Sequence, residues 1–346
     1  MGDLTGENSG IVIPPNNGAK LAVDEYNATN PKVKLEIKDY DSQGKADQAT
    51  SLITTAITSD KITALIGPAF SGESKAIGGI LEQSKIPSVS PSATNPGLAA
   101  NGWTYWHRVV ANDNDQGPGI ANFLIKAKTP KKAYVLSDDQ EYSVGLADAF
   151  EKTFKEGGVA TERDKFSKDA SDYSSTVSKV KSANPDVITY GGYYAQAGRL
   201  LKQLRDGGVT ATFATGDGSL DPQLVTGAGP AAAEGAVIGC PCKFGSDVAD
   251  LKDFATKYKA KYNVDPAIYS TEGYDAATAI INAVKAGNTT GETINAYLKT
   301  IDFKGLSKEI KFKDNGEPVT GSIFVYQVVG GTIKLLGAST DAKLGG

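Results

Sequence analysis

Histidine occurs once in the 346 residues, at His107, methionine once, at Met1, and cysteine twice, at Cys240 and Cys242. Nucleophilic, acid–base and metal chemistry draw heavily on these side chains, so their scarcity removes most of the usual routes to catalysis. His107 lies in Trp103-Thr104-Tyr105-Trp106-His107-Arg108, a strand-like run, and no Gly-x-Ser-x-Gly elbow or cysteine nucleophile exists for it to serve. A structural role is therefore expected for it. Glu272 and Asp275 sit three apart on a helical stretch and have the spacing of an acid–base pair, although helices carry such carboxylates routinely. There is no Walker motif, no His-rich cluster and no Gly-x-Gly-x-x-Gly after a strand. No enzyme is expected, and no cofactor or metal.

Cationic excess is lacking too. Lys and Arg number 36 against 40 Asp and Glu, a net charge of −4, and phosphate backbones require concentrated positive charge. A nucleic-acid partner is thus excluded. No apolar run approaches the roughly 18–20 residues that span a bilayer. The pair Cys240-Pro241-Cys242 is too small for a structural zinc site, which needs about four ligands. It reads either as two half-buried strand residues or as a disulfide across one residue in an oxidising compartment.

What is present is a globular composition, 40% hydrophobic and 22% charged, at a length that suits two lobes of about 100–200 residues each. Strand and helix patterns alternate along most of it, the signature of doubly wound parallel sheets. Helical spacing covers 17–27, 46–58 and 71–83. Strands are expected at 32–40, where Val33, Leu35 and Ile37 alternate with Lys34, Glu36 and Lys38, and at 62–67, 87–90 and 105–111. A second series of similar size follows, with helices over 119–127, 144–155, 173–182 and 195–207 and strands over 132–137, 159–166, 187–190 and 212–215. A third block differs: helices at 248–262 and 269–286, a strand at 309–313, a tight turn at 314–317, and a hairpin joining 323–329 to 333–336 through Gly330-Gly331. Helices left over after two complete series must pack somewhere, and a return to the first lobe is the economical solution.

The opening Met1-Gly2-Asp3-Leu4-Thr5-Gly6 reads as the end of a strand followed by a glycine-rich turn. A start further upstream is expected from this, with the rest of that strand before Met1.

Chemistry concentrates where strands end. Ser71-Gly72-Glu73-Ser74 begins a helix after Ile66-Gly67-Pro68, a geometry that offers free N–H groups to an anion. Ordinary N-capping by Ser71 is the plain alternative. Ser90-Pro91-Ser92-Ala93-Thr94-Asn95-Pro96 closes the next strand. In the second series Gly191-Gly192-Tyr193-Tyr194 and Thr215-Gly216-Asp217-Gly218 occupy the equivalent places, and Tyr142 adds an aromatic ring at another such edge. Open α/β sheets bind ligands at this carboxyl edge. Anion donors on one lobe, with a carboxylate and aromatic rings on the other, suit a zwitterion.

These motifs together resemble the periplasmic leucine/isoleucine/valine-binding proteins, the substrate-binding components of ABC-type transporters. The signposts are Gly2 to Gly6, Asn17-Gly18-Ala19, Ser90 to Pro96, Asp113 to Gly117 and Tyr190 to Tyr194. The resemblance implies a type I periplasmic-binding-protein fold: two Rossmann-like lobes with three crossings near 111–116, 243–246 and 314–320. Lobe one is expected at 1–113 and 246–315, lobe two at 114–245 and 316–346. It further implies that Ser71 and Thr94 bind a ligand carboxylate, and that the Ser92 carbonyl and Asp217, beside Gly218, receive the ammonium. Ile11, Phe70, Tyr142, Tyr193 and Tyr269 would surround the side chain. Asp217 stands where the family often has glutamate, Ile11 where some members have a large aromatic, and Phe70 where some have a small residue. These departures keep γ-aminobutyrate and other amine-bearing acids open as ligands, and a sensory receptor ectodomain as an alternative role. The implied partners are a free amino acid, which the protein closes around by hinge bending, and a membrane permease. A monomer outside the cytoplasmic membrane is implied, with a cleaved or lipid-anchored leader.

Overall fold

The computed structural model describes residues 1–244 and 248–345. The chain separates into two compact units, Met1–Ala111 with Cys242–Gly321, and Asn112–Pro241 with Ser322–Gly346, so it passes from one to the other three times. In the first unit come α1 (Ile13–Ala28), α2 (Ala46–Thr58), β1 (Leu65–Ile66), α3 (Ser71–Ser84), β2 (Ser88–Ser90) and β3 (Trp106–Arg108). The second unit takes α4 (Asp113–Lys128), β4 (Lys132–Ser137), α5 (Glu141–Glu156), β5 (Ala160–Lys165), α6 (Ser174–Ala183) and β6 (Val187–Tyr190). It continues with α7 (Tyr194–Asp206), β7 (Thr212–Thr215), α8 (Pro222–Ala228), α9 (Pro230–Ala233) and β8 (Val237–Cys240). The chain returns to the first unit for α10 (Lys252–Tyr262), α11 (Ser270–Lys285), α12 (Gly291–Leu298), β9 (Asp302–Lys304) and β10 (Glu309–Lys311). It ends in the second with β11 (Phe324–Val329) and β12 (Thr332–Ala338).

The first unit is a parallel sheet, β1-β2-β3, between two helix pairs. Neighbouring strand residues point to opposite faces, and β1 shows it: Leu65 packs among Ile53, Ile77 and Leu81 of α2 and α3, while Ile66 packs with Ala19, Val23 and Ala277 of α1 and α11. Helix α11 also covers Val89 and Val109, joined there by Ile294 and Leu298 of α12. His107 is buried against the Phe312 ring, 4.9 Å between centroids. Burial lowers its pKa to about 4, so it is neutral at pH 7.

The second unit is a seven-stranded sheet ordered β12-β11-β8-β7-β6-β4-β5. Strands β4 to β8 run parallel, and β6, β7 and β8 are buried along both faces, as strands covered on both sides are. Antiparallel β11 and β12 close one edge, Val329 opposite Thr332. The two-residue turn between them needs positive φ at both positions, which Gly330 (61°) and Gly331 (72°) supply.

Several expectations are corrected. Residues 33–40, read as a strand, join no ladder; α1 holds their backbone from one side. The Tyr26 hydroxyl donates to the Val33 carbonyl (2.8 Å), and the Asn27 amide bonds both the N–H (3.0 Å) and the C=O (2.8 Å) of Leu35. Helices α8, α9 and α12 and strand β8 were not foreseen. Residues 316–321, expected with the second lobe, lie in the first unit. There Glu317 pairs with Arg108, and the Arg108 N–H donates to the Gly316 carbonyl at 3.0 Å. Gly316, at φ 78°, is required there, because a Cβ would sit 2.0 Å from the Trp106 carbonyl oxygen. The changeover at 111/112 precedes the expected 113/114, since Asn112 already caps α4. The crossing expected at 243–246 falls at 241/242, so residues 242–244 lie in the first unit rather than the second lobe; residues 245 and 246 lie outside the described residues. Of the two readings kept open for Cys240 and Cys242, the disulfide is the one the structure holds.

Candidate functional site

The expected site residues fall in two groups, one in each unit. In the first, Ser71 opens α3, but Phe70 occupies the N-cap position and Glu73 caps the helix by accepting the Phe70 N–H at 3.2 Å. Ser71 is therefore not the cap. Its Oγ accepts the Asn95 N–H (3.2 Å), which ties the helix start to the loop after β2.

That loop is held at every turn. Ser90 Oγ donates to the Pro68 carbonyl (2.6 Å) and accepts the Ala93 N–H (3.0 Å), and Ser92 Oγ donates to the Ala69 carbonyl (2.8 Å). Arg108, fully buried on β3, sends Nη1 to the carbonyls of Ala93 (2.8 Å) and Asn95 (2.9 Å), the residues either side of Thr94. Its Nε donates to Glu317 (3.0 Å) and its Nη2 to the other oxygen of the same carboxylate, a bidentate pair in which neither partner is left uncompensated. Thr94 is fixed in this way with its Oγ1 buried and without a hydrogen-bond partner among the described residues; Ser74 Oγ, one turn along α3 from Ser71, is likewise buried and unpartnered. Buried hydroxyls are nearly always satisfied; Ser88 Oγ in this unit and Ser137 Oγ and Thr189 Oγ1 in the second are unpartnered too, so it is its place on the clamped strand-end loop that makes Thr94 the candidate for a polar guest.

Tyr269 precedes α11 with a left-handed backbone, φ 58°, and a fully buried side chain. A bulky residue holds that conformation at a cost of about 1–2 kcal/mol, and such strain gathers at ligand sites. Ile11 is buried in the short turn Ser9–Ile11. Phe70 is buried as well.

In the second unit Asp217 follows β7 and is buried. Its Oδ1 accepts from Gln116 Nε2 (2.7 Å) and from the Tyr142 hydroxyl (2.8 Å), and its N–H donates to Gln116 Oε1 (2.9 Å). Burial, then the charges of Asp217 and Asp113, push the Tyr142 hydroxyl well above its ordinary pKa, so it stays a donor. The Gly218 N–H donates to the same hydroxyl oxygen (3.0 Å), and the Tyr142 and Tyr193 rings lie 5.0 Å apart. Gly218 has no room for a side chain, because a Cβ would meet the Tyr142 ring at 2.7 Å. The result is a preorganised carboxylate beside two aromatic rings, the surroundings an ammonium group prefers.

Glu272 and Asp275 do not form an acid–base dyad. Asp275 accepts the N–H groups of Leu306 (2.7 Å) and Ser307 (2.8 Å) and the Ser307 hydroxyl (2.6 Å), and Glu272 faces Thr271 and Lys308. Both pin the 305–308 turn to α11. Among the described residues, no cluster of three metal-ligating side chains occurs.

A family model described as "Periplasmic binding protein" matches residues 1–332. The chain belongs to the periplasmic binding protein family. Among relatives of this periplasmic binding protein is the "Leucine-, isoleucine-, valine-, threonine-, and alanine-binding protein" of Pseudomonas aeruginosa, 27% identical over 90% of this chain and 83% of the relative. Among solved structures, the leucine-binding protein LivK of Thermotoga maritima superposes with a TM-score of 0.87 at 30% identity, covering 97% of this chain and 96% of that one. The branched-chain amino acid transporter substrate-binding protein LivJ of Streptococcus pneumoniae, solved with isoleucine, gives 0.87 at 26% identity over 99% and 97%. The fold is that of a type I periplasmic binding protein.

Three residues that the geometry ties to these candidate groups were not singled out from sequence. Ser74 had a signal, being one helical turn from Ser71 on the same face. Gln116 lay inside the signpost Asp113 to Gly117, but nothing in the spacing announced its contact with a residue 101 positions away. Arg108 was passed over beside His107.

Proposed function

We propose that this protein is the substrate-binding component of an ABC-type amino-acid importer, and that it binds leucine, isoleucine or valine outside the cytoplasmic membrane. The observation that carries the reading is the buried, unpartnered Thr94 hydroxyl on a loop clamped by Arg108. The ligand carboxylate accepts from Thr94 and Ser71, and its ammonium donates to Asp217 and the Ser92 carbonyl. Each charge-assisted bond contributes about 1.5–3 kcal/mol. Ile11, Phe70, Tyr142, Tyr193 and Tyr269 surround the aliphatic side chain, whose burial adds roughly 1.5–3 kcal/mol. Two groups of contacts, one per unit, make ligand-bound closure favourable, because the closed state alone uses both. A membrane permease then recognises that state. The disulfide at Cys240 and Cys242 fits an oxidising compartment, and no helix among the described residues is long and apolar enough to cross a membrane.

Thr94→Val tests the carboxylate assignment. The change is nearly isosteric and removes a hydroxyl that makes no hydrogen bond among the described residues, so the unliganded melting temperature stays within about two degrees. Affinity for leucine, by titration calorimetry, falls roughly 10- to 100-fold. Unaltered affinity would remove Thr94 from the site.

A further inference from the structure

Three turns close the carboxyl edge of the second unit's sheet, after β4, β6 and β7, and Tyr142, Tyr193 and Asp217 stand on them. One carboxylate joins the first two turns from beneath. Asp138 Oδ2 accepts the Tyr190 hydroxyl (2.6 Å) and Gln140 Nε2 (3.1 Å), and its Oδ1 accepts the Gln140 N–H (2.8 Å). The Asp138 N–H donates to Ser143 Oγ (2.8 Å), on the residue next to Tyr142. Asp138 and Tyr190 are both fully buried. Burial, then the charge of Asp138, pushes the Tyr190 hydroxyl well above its ordinary pKa, so it stays a donor.

The Tyr190 side chain is in turn the floor of the 191–193 turn. A Cβ on Gly192 would lie 2.1 Å from the Tyr190 hydroxyl oxygen, so the backbone just before Tyr193 rests directly on that group. Phe166 stacks on the same ring, 5.4 Å between centroids, and fixes it from the side. The Gly192 carbonyl accepts from Ser219 Oγ (2.8 Å), which accepts from Thr215 Oγ1 (2.9 Å), and this brings in the turn that carries Asp217. Contacts therefore run from Asp138 to Tyr142 through Ser143, and to Tyr193 through Tyr190 and Gly192.

We propose that Asp138 and Tyr190 are positioning residues for the Tyr142–Tyr193 ring pair, and that through it they set a preference for a bulky aliphatic side chain over a small one. The inference rests on the ligand class proposed above. Dispersion contacts are short-ranged: a gap of about 0.5–1 Å forfeits a quarter to a half of each one. A small displacement of the two rings therefore costs leucine, which makes many such contacts, far more than alanine, whose methyl group makes few.

Tyr190→Phe tests this, because it keeps the ring and deletes only the hydroxyl that Asp138 holds. Val187→Ala, a fully buried change at the far end of the same strand, is the control for lost stability. Amide exchange is read in the unliganded protein at Gly218, whose N–H donates to the Tyr142 hydroxyl, and leucine and alanine affinities are read by calorimetry. Tyr190→Phe is expected to speed Gly218 exchange by roughly threefold or more. It should weaken leucine about tenfold and alanine by less than about threefold. Val187→Ala should lower the melting temperature and leave the leucine-to-alanine ratio as it was. In a Tyr193→Ala background, Tyr190→Phe should change that ratio no further. Equal losses for the two amino acids, or a ratio that moves as much in Val187→Ala, overturn the proposal. If the unaltered protein binds neither amino acid while Tyr190→Phe alone still speeds Gly218 exchange, the ligand class falls and the positioning role stands.

Discussion

Asp217→Ala is expected to weaken leucine binding by about 100- to 1000-fold, close to 3–4 kcal/mol. The loss has two parts. The ligand ammonium forfeits its carboxylate, a charge-assisted bond of about 1.5–3 kcal/mol. Gln116 Nε2 and the Tyr142 hydroxyl, which now donate to Asp217 Oδ1, also lose their acceptor in a buried site. Asp217→Asn separates the parts, since the amide oxygen still accepts from both donors while the negative charge is gone. Calorimetry on the two variants should therefore show most of the loss already in Asp217→Asn, with melting temperature disturbed chiefly in Asp217→Ala. Wild-type affinity in Asp217→Asn would mean that the ammonium is received elsewhere.

The largest expected effect on stability belongs to Arg108. In Arg108→Met the Glu317 carboxylate stays buried without its cation, and the carbonyls of Ala93 and Asn95 lose their donor. Breaking one side of a buried pair costs about 3–5 kcal/mol, which lowers melting by roughly ten degrees. Adding Glu317→Leu removes the stranded charge and should restore much of the melting temperature. Binding should not recover with it, because no donor then holds the two carbonyls that flank Thr94. Leucine affinity that returned together with stability would reduce Arg108 to a structural ion pair.

Most of the architecture was legible because it depends on local pattern. Apolar periodicity gave α2, α3 and α7 and the strands β4, β6 and β7 almost to the residue, and the Gly330-Gly331 hairpin and α5 to within three residues. The alternation at 32–40 predicted a strand that the structure does not form, because a pattern does not supply the neighbour that a ladder needs. The helix-start reading of Ser71 failed by one residue, and the reason is physical: Glu73 reaches back to the Phe70 N–H, which frees Ser71 for Asn95. Strand-end positions singled out Thr94, Tyr142, Tyr193 and Asp217 as candidates, because the carboxyl edge of an α/β sheet is where such residues can meet a ligand. The supports of those loops stayed hidden. Arg108 and Glu317 are 209 positions apart, a separation that no reading based on spacing bridges.

The central claim is that an α-amino acid is held through both its charged groups and its aliphatic side chain. It is tested most directly by calorimetry on protein that has been unfolded and refolded to strip carried ligand. Leucine, isoleucine and valine are titrated beside γ-aminobutyrate, leucinol, which lacks the carboxylate, and 4-methyl-2-oxopentanoate, which lacks the ammonium. One-to-one binding of the three branched-chain amino acids, with both leucine analogues at least 100-fold weaker, is the predicted result. Binding of the oxo acid as tight as that of leucine, or no heat with any amino acid, would contradict it.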